Sequence, residues 1–187
     1  YFVKPTEAIV TSDTFIPGKN GKSVDVQKSY ENMNGKFDKN RLIFKKIEVK
    51  NKLEDNKDKF IIGGYNDKNV ALLFKVDNKD ELYTIEKILD LNSVKGTFFI
   101  TSSYLEKNHN YIIRLMKEGH SIGNLGNNGN YNDPSFNWSK MIITNSAKQI
   151  NNYCYSENKD KEILKICSLN DSYTIVPSLV INKNLLY

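Results

Sequence analysis

The sequence has little cysteine, little arginine and no long apolar run, and each shortage excludes a class of protein. Its two cysteines, Cys154 and Cys167, lie thirteen positions apart, which fits neither a close pair of metal ligands nor a redox Cys-x-x-Cys motif. We expect two buried free thiols, with a disulfide as the alternative. No stretch approaches the roughly 20 consecutive apolar residues that a transmembrane helix needs, so no such helix is predicted.

The start of the sequence also lacks two familiar signals. Residues Tyr1 to Pro5 contain neither an initiator methionine nor the apolar core of a signal peptide. We therefore expect a mature or trimmed segment, from which any signal or anchor has been removed.

Arginine is scarce although the net charge is +5. Arg41 and Arg114 accompany 25 lysines, which are scattered among 22 acidic residues instead of forming an aromatic-basic block. This pattern argues against nucleic acid as a partner, because bidentate recognition of phosphate relies on arginine. The basic balance predicts a weak attraction to anionic polymers, such as an acidic cell envelope.

The residues that are abundant predict a folded and heavily solvated protein. Lysine and asparagine occur 25 times each, and apolar residues make up 39% of the chain. Eleven tyrosines and nine phenylalanines still supply enough apolar surface for a core, which argues against a disordered chain. A length of 187 residues suits one domain, or one domain with a small appendage.

Residues 1–66 are predicted to form an N-terminal α+β extension or small domain with a linker. Asn20-Gly21 follows an alternating apolar segment and favours a tight hairpin. Helical spacing predicts a helix over Ser23–Met33, and Leu42–Val49 is expected to be extended. The charged run Lys50–Lys59 is expected to be a linker or exposed loop, or equally the solvated face of a helix.

From residue 69 onward the pattern alternates between strands and helices. Val70–Phe74 is a continuous apolar run, typical of a parallel strand buried on both faces. We expect Ile88 on the buried side of the first helix and Trp138 in the core. The same reasoning predicts strands at Thr97–Ile100, His120–Ile122, Tyr153 and Tyr173–Val176, and helices that begin near Asp80, Asn110, Asn137 and Asp160. Repeated units of this kind indicate a parallel α/β sheet or barrel.

Three segments in this region resemble one family. Val70-Ala71-Leu72-Leu73-Phe74, Gly96-Thr97-Phe98-Phe99-Ile100 and Glu118-Gly119-His120-Ser121-Ile122-Gly123-Asn124 are similar, in order and spacing, to motifs of the polysaccharide deacetylases of the NodB-homology type, carbohydrate esterase family four. The resemblance implies a distorted (β/α) barrel over residues 67–187, with its site at the C-terminal ends of the strands. Family barrels generally continue further, so the barrel is expected to be incomplete, with an open sheet edge that residues 1–66 or a second copy of the chain could cover.

The resemblance also implies a divalent metal, usually zinc, held by one aspartate and two histidines, with a second aspartate as general base. At those positions this sequence has Lys75 and Val76 in place of the aspartates, and Leu125 and Gly129 in place of the histidines. An ammonium repels a cation, and the other three side chains offer no lone pair. We therefore expect no bound metal and no catalytic residues; a bulge that moved Asp77 toward the site would still leave both histidines missing.

A binding pocket is the function that such a site could keep. Its predicted ligand-binding residues carry amide, charged and aromatic groups suited to sugars; they are Lys75, Asp77, Asn124, Asn127, Asn128 and Tyr153. A glycine- and asparagine-rich loop is also what tight turns require, so composition alone could explain these asparagines. His120 is expected to be structural, and His109 to be exposed.

The first functional hypothesis is a secreted or cell-envelope protein that resembles a polysaccharide deacetylase, lacks its activity and binds cell-wall glycan or an envelope protein. The enzymatic alternative is a hydrolase that removes N-acetyl groups from cell-wall polysaccharide with non-standard ligands. In a third hypothesis the role of the protein is structural: residues 1–66 bind the partner, and the barrel serves as a scaffold for them. A homo-oligomer could form through the open sheet edge.

Overall fold

The structure is a computed structural model, and it describes residues 1–65, 69–76, 79–132, 134–147, 149 and 152–181. The strands are β1 (Ile9–Val10), β2 (Thr14–Ile16), β3 (Gly21–Val24), β4 (Phe44–Ile47), β5 (Phe60–Ile61), β6 (Leu73–Val76), β7 (Thr97–Ile100), β8 (Ser121–Asn124), β9 (Asn152–Tyr155) and β10 (Ser172–Ile175). The helices are α1 (Val26–Met33), α2 (Lys79–Leu91), α3 (Ser102–Lys107), α4 (His109–Lys117), α5 (Ser135–Ala147) and α6 (Lys161–Leu169). Within the described ranges, none of the helices has both the length and the apolar character needed to span a membrane.

Most of the strands belong to one sheet of eight, in the order β1-β2-β5-β10-β9-β8-β7-β6. All neighbouring strands in it are parallel, except that β1 and β2 are antiparallel. The predicted α/β class with a mostly parallel sheet is thereby confirmed. In the described part of the chain β1 and β6 are the two edge strands of this sheet, so the sheet is curved like part of a barrel but does not close. Pairing of two chains through an open sheet edge remains a prediction.

Strands from the N-terminal residues continue the sheet beyond β10. β5 pairs with β10 through Phe60 and Ile61, and β2 lies on the other side of β5. β3 and β4 form a separate two-stranded antiparallel sheet next to α1 in sequence. The division of the chain at residue 66 into two domains remains a prediction.

The hairpin predicted at Asn20-Gly21 is wrong, because the tight hairpin joins β1 to β2. Its turn is held by the Thr11 hydroxyl, which accepts a hydrogen bond of 3.0 Å from the Thr14 N–H. Gly21 instead lies in β3, where a Cβ would come within 2.4 Å of the Val3 carbonyl oxygen. A glycine is needed there because the first residues of the chain cross β3 so closely.

One face of the main sheet is covered by helices α2 to α6. Val76, Phe98, Ile100 and Ile122 point to this side, where they form a core with apolar residues of α2, α3, α4 and α5. We call it the helix face. Each of these four strand residues is at most 1% exposed, so this core excludes water and holds the strands in register.

The opposite face of the sheet is rich in aromatic residues, and we call it the tyrosine face. Because side chains alternate along a strand, the residues between those of the helix face point here. Its members from β6, β7, β9 and β10 are Leu73, Phe99, Tyr153, Tyr155, Tyr173 and Ile175. The tyrosine face therefore lies on the side of the sheet away from α2 to α6, and Phe99, Tyr155 and Tyr173 are buried there.

The first of the predicted parallel strands is displaced along the sequence. The run Val70–Phe74 was expected to be buried on both faces, but β6 spans Leu73–Val76 and Val70 is 84% exposed. This expectation is wrong because β6 is an edge strand, and only the last of its residues, Val76, is fully buried.

Two large side chains expected to be buried are on the surface. Ile88 is 55% exposed and Trp138 is 50% exposed. In α2 the buried stripe passes through Leu82 and Leu89, which turns Ile88 outward. In α5 the buried stripe starts at Phe136, and it likewise turns Trp138 outward.

The two cysteines form a disulfide, so the expectation of two free thiols is wrong. Cys154 in β9 and Cys167 in α6 have Cα atoms 6.5 Å apart and are both fully buried. They meet because β9 points Cys154 to the helix face, on which α6 packs. The bond ties the strand that carries Tyr155 to the helix behind it.

Candidate functional site

Lys75 lies near the C-terminal end of β6, on the tyrosine face. Its Nζ is 3.9 Å from a carboxylate oxygen of Glu157 and 5.1 Å from the centre of the Tyr155 ring. The Lys75 and Glu157 side chains are both about half exposed, so their ion pair contributes little to folding. It does place an ammonium, a carboxylate and an aromatic ring together where parallel sheets carry their functional groups.

Leu125 and Phe99 pack against the same tyrosine. The rings of Phe99 and Tyr155 meet edge to face with centroids 5.3 Å apart. Gly123 makes this possible, because a Cβ at that position would come within 2.3 Å of the Phe99 ring. Burial raises the pKa of the Tyr155 hydroxyl, and the charge of Glu157 raises it further, so this tyrosine stays neutral at physiological pH.

Val76 does not join this group. Its side chain is 1% exposed and packs in the core of the helix face. Of the two positions that correspond to the family's aspartates, only Lys75 therefore faces the site. Leu125 and Lys75 both lie against the Tyr155 side chain. The Gly129 N–H donates a hydrogen bond to the Leu125 carbonyl at 2.7 Å, which places Gly129 beside Leu125.

The predicted ligand residue Asn124 is a structural element of the loop after β8. Its side-chain amide donates to the Phe136 carbonyl at 2.9 Å, and its Oδ1 accepts from the Gly126 N–H at 2.8 Å. The residue is 1% exposed. Both ends of the amide are thus used to hold the loop against α5.

The other predicted ligand residues are dispersed. Asn127 and Asn128 are exposed at the tip of the loop, where Asn128 has a φ of 49°. Tyr153 is half-buried on the tyrosine face, with its ring centroid 6.3 Å from that of Tyr173. Asp77 lies outside the described residues.

Tyr131 fixes the end of β9 beside the site. Its hydroxyl donates to the Tyr155 carbonyl and accepts from the Tyr155 N–H, both at 3.0 Å. Burial raises the pKa of Tyr131 to about 12. The neutral hydroxyl can both donate and accept, so it satisfies two backbone groups of β9 at once.

A small pocket opens between the glycine-rich loop and the start of α6. Its volume is about 190 Å³. Its walls combine amides, carboxylates and apolar side chains from Gly129, Asn130, Tyr131, Asn132, Asp160, Glu162, Ile163 and Ile166. The Asp160 carboxylate caps α6 by accepting from the Glu162 N–H at 2.8 Å, so this wall of the pocket is the first turn of a capped helix.

The residues at the strand ends do not fit the divalent metal that the resemblance implies. Lys75 brings a positive charge, while Leu125 and Gly129 bring no lone pair. Among the described residues, one group of three acids could approach a cation, namely Glu86, Asp90 and Glu118 on the α2 and α4 side. Each of these acids already has a cationic partner: the Arg114 guanidinium nitrogens lie 2.7 Å from Glu86 and 2.9 Å from Glu118, and the Lys95 Nζ lies 3.1 Å from Asp90.

Neither histidine belongs to the site. His120 is buried, and its Nδ1 accepts a hydrogen bond of 3.2 Å from the Gly96 N–H, which ties the start of β8 to the start of β7. His109 is exposed at the start of α4. Both predictions for the histidines are confirmed.

The model of the polysaccharide deacetylase family matches residues 63–187. This chain belongs to that family. The uncharacterised protein YlxY of Bacillus subtilis is 32% identical over 155 residues, which are 80% of this chain and 47% of that protein. The peptidoglycan-N-acetylmuramic acid deacetylase PdaA of the same organism is 31% identical over 130 residues, which are 68% of this chain and 44% of that protein. The chain thus spans about half the length of these relatives.

Among solved structures, the fold is similar to that of a CE4 family pseudoenzyme from Bacillus anthracis. The wild-type structure has a TM-score of 0.65 and 26% identity, and the match covers 94% of this chain and 68% of that one. A mutant of the same pseudoenzyme, described as having restored enzymatic activity, has a TM-score of 0.64 and 25% identity, with coverage of 94% and 70%. The open sheet and its helices are therefore those of a CE4 domain.

Sequence reasoning did not single out Tyr155 and Glu157 as site residues. A usable signal was present, because Tyr153, Tyr155 and Glu157 alternate at a spacing of two, which places their side chains on the same side while the strand continues. What the sequence could not give is the approach of Lys75, from a strand three positions away in the sheet order.

Proposed function

We propose that the C-terminal strand ends of this domain bind cell-wall polysaccharide without removing its acetyl groups. The observation that carries the proposal is the Lys75 ammonium beside Tyr155 and Glu157, where the corresponding residue of an active relative would be an aspartate. Lys75, Tyr155, Glu157 and Leu125 form what we call the lysine site.

The charges of the lysine site oppose metal-dependent hydrolysis. A metal that activates water must lie beside its ligands, and here it would face an ammonium and the alkyl side chain of Leu125. A metal-free route would need a general base in a water-accessible cleft. Glu157 is the carboxylate that pairs with Lys75 among the described residues, and that ion pair already occupies one of its oxygens.

The same groups suit a sugar. The half-exposed ammonium of Lys75 and carboxylate of Glu157 can form hydrogen bonds with the hydroxyls and amide of a sugar, while the buried Tyr155 ring lies beneath the ammonium. The name of the relative PdaA specifies peptidoglycan as its substrate, and a domain that kept the binding surface would keep that class of ligand. The similarity to a pseudoenzyme of the CE4 family supports the loss of activity.

A location outside the cytoplasm accompanies this function. One of the two named relatives, PdaA, is a peptidoglycan deacetylase, whose substrate belongs to the cell envelope. The Cys154–Cys167 disulfide supports the same location, because such bonds persist in oxidising compartments and are rare in the cytosol.

Co-sedimentation with insoluble peptidoglycan tests the binding, and acetate release in the presence of zinc tests the chemistry. We expect the protein to sediment and the acetate to equal the buffer blank. Lys75→Met should weaken sedimentation, whereas the control Lys87→Met, which removes the same charge from α2, should not. Acetate above the blank would refute the loss of activity, and equal sedimentation of the two variants would refute the lysine site.

A further inference from the structure

The small N-terminal sheet has an unusual outer surface. Val24 lies opposite Phe44 and Lys22 lies opposite Lys46 in the β3–β4 ladder, and Val3 pairs with Lys22 from the other side. Residues that face each other in antiparallel strands point to the same side. We call this surface the N-terminal sheet face, and its members are Tyr1, Val3, Lys22, Val24, Phe44 and Lys46.

Two apolar members of this face, Tyr1 and Val3, are exposed, while Val24 and Phe44 are partly buried. Tyr1 is 82% exposed and Val3 is 58% exposed. The Tyr1 and Phe44 rings meet edge to face at 6.1 Å, and the Lys22 Nζ lies 4.0 Å from the centre of the Phe44 ring. The solvent side of an antiparallel sheet is normally polar, so a face of this composition indicates an interaction surface.

Charge identifies the kind of partner. Residues 1–50 carry ten of the lysines and arginines against six acidic residues, so they hold +4 of the net charge of +5. Lys22 and Lys46 are directly opposite each other, an arrangement of like charges that destabilises a ladder. Glu48 relieves it in part, at 3.4 Å from the Lys46 Nζ. An anionic ligand laid across the strands would relieve the rest.

We propose that the N-terminal sheet face binds a polyanionic polysaccharide, with sugar rings stacked on the aromatic side chains and anionic groups paired with the lysines. The face lies outside residues 63–187, which match the family, and the inference does not depend on the lysine site. A membrane surface fits less well. Insertion would carry the Lys22 ammonium, which lies over the Phe44 ring inside the face, into hydrocarbon.

The test uses dextran sulfate and neutral dextran of equal length, which differ only in charge. We expect binding to dextran sulfate that weakens with salt, and much weaker binding to dextran. Lys22→Gln with Lys46→Gln should weaken it and lower the slope of log affinity against log salt by roughly 1 to 2. The control Lys107→Gln with Lys117→Gln removes the same charge from α3 and α4 and should change little.

Folding is controlled within the same experiment, because removing two opposed like charges should leave the thermal midpoint unchanged or raised. Phe44→Leu should also weaken binding, since it removes the ring but keeps most of the apolar volume. Equal losses in the two lysine pairs would show a general charge effect and overturn the proposal. Tighter binding to phosphatidylglycerol vesicles than to dextran sulfate would overturn it in favour of a membrane.

Discussion

Breaking the Cys154–Cys167 disulfide should remove a large share of the stability of the domain. The bond closes a loop with a sequence separation of 13, for which chain entropy gives about 3 kcal/mol at 25 °C. A domain of this size is stable by only about 5–15 kcal/mol in total. Because both sulfurs are fully buried beside Tyr131 and Phe136, their removal would add a packing loss to this figure.

Urea unfolding of three samples separates the two contributions. Reduced wild-type protein keeps both sulfurs and loses only the cross-link, so its free energy of unfolding should fall by about 3 kcal/mol. Cys154→Ala with Cys167→Ala also loses the sulfur atoms and should fall at least as far. Equal midpoints for oxidised and reduced protein, or two titratable thiols in unfolded protein that never met a reductant, would refute the reasoning.

Three further outcomes are expected. Val76→Asp buries a carboxylate in the helix-face core and should lower the free energy of unfolding by at least about 3 kcal/mol. The control Lys75→Asp, at an exposed position, should change the free energy of unfolding little. Similar losses for the two variants in urea unfolding would contradict the assignment of the two faces. The raised pKa of Tyr131 makes stability present below pH 10 and lost as pH rises toward 12, so Tyr131→Phe should reduce the fall in unfolding free energy over that range, by up to about 1.4 kcal/mol per pH unit. An unchanged slope would argue against burial of that hydroxyl. Trp138→Ala should cost clearly less than Phe136→Ala, because Trp138 is 50% exposed and Phe136 only 1%, and equal losses in urea unfolding would place Trp138 in the core after all.

Local chemistry made several elements predictable. Asp160 was expected near the start of a helix and caps α6 with its carboxylate. Thr97–Ile100 was expected to be a buried strand and forms β7. In each case the signal lies within a few residues of the feature, so no knowledge of the fold was needed.

Features set by packing between distant segments were not predictable in this way. A separation of thirteen residues says nothing about whether Cys154 and Cys167 meet, because that depends on α6 packing behind β9. The outward position of Trp138 depends on which stripe of α5 the sheet accepts. An apolar run such as Val70–Phe74 indicates a strand, but the position of that strand at a sheet edge is a property of the whole topology.

The candidate site likewise has some features that the sequence predicts and others that depend on packing between distant segments. The replaced residue types were evident from the sequence, and they predict the loss of metal ligands on charge alone. The separation of Lys75 and Val76 onto opposite faces follows from strand alternation once the bounds of β6 are known. The contact between Lys75 and Tyr155 required the sheet order, and the use of Asn124 to hold its own loop required the position of α5.

The most direct test of the central claim is the metal content of the purified protein after equilibration with excess zinc and removal of the unbound ion. Elemental analysis should find far less than one zinc per chain, because the strand ends present an ammonium and alkyl groups where ligands are needed. One equivalent of zinc whose anomalous scattering lies beside Tyr155 would contradict the account.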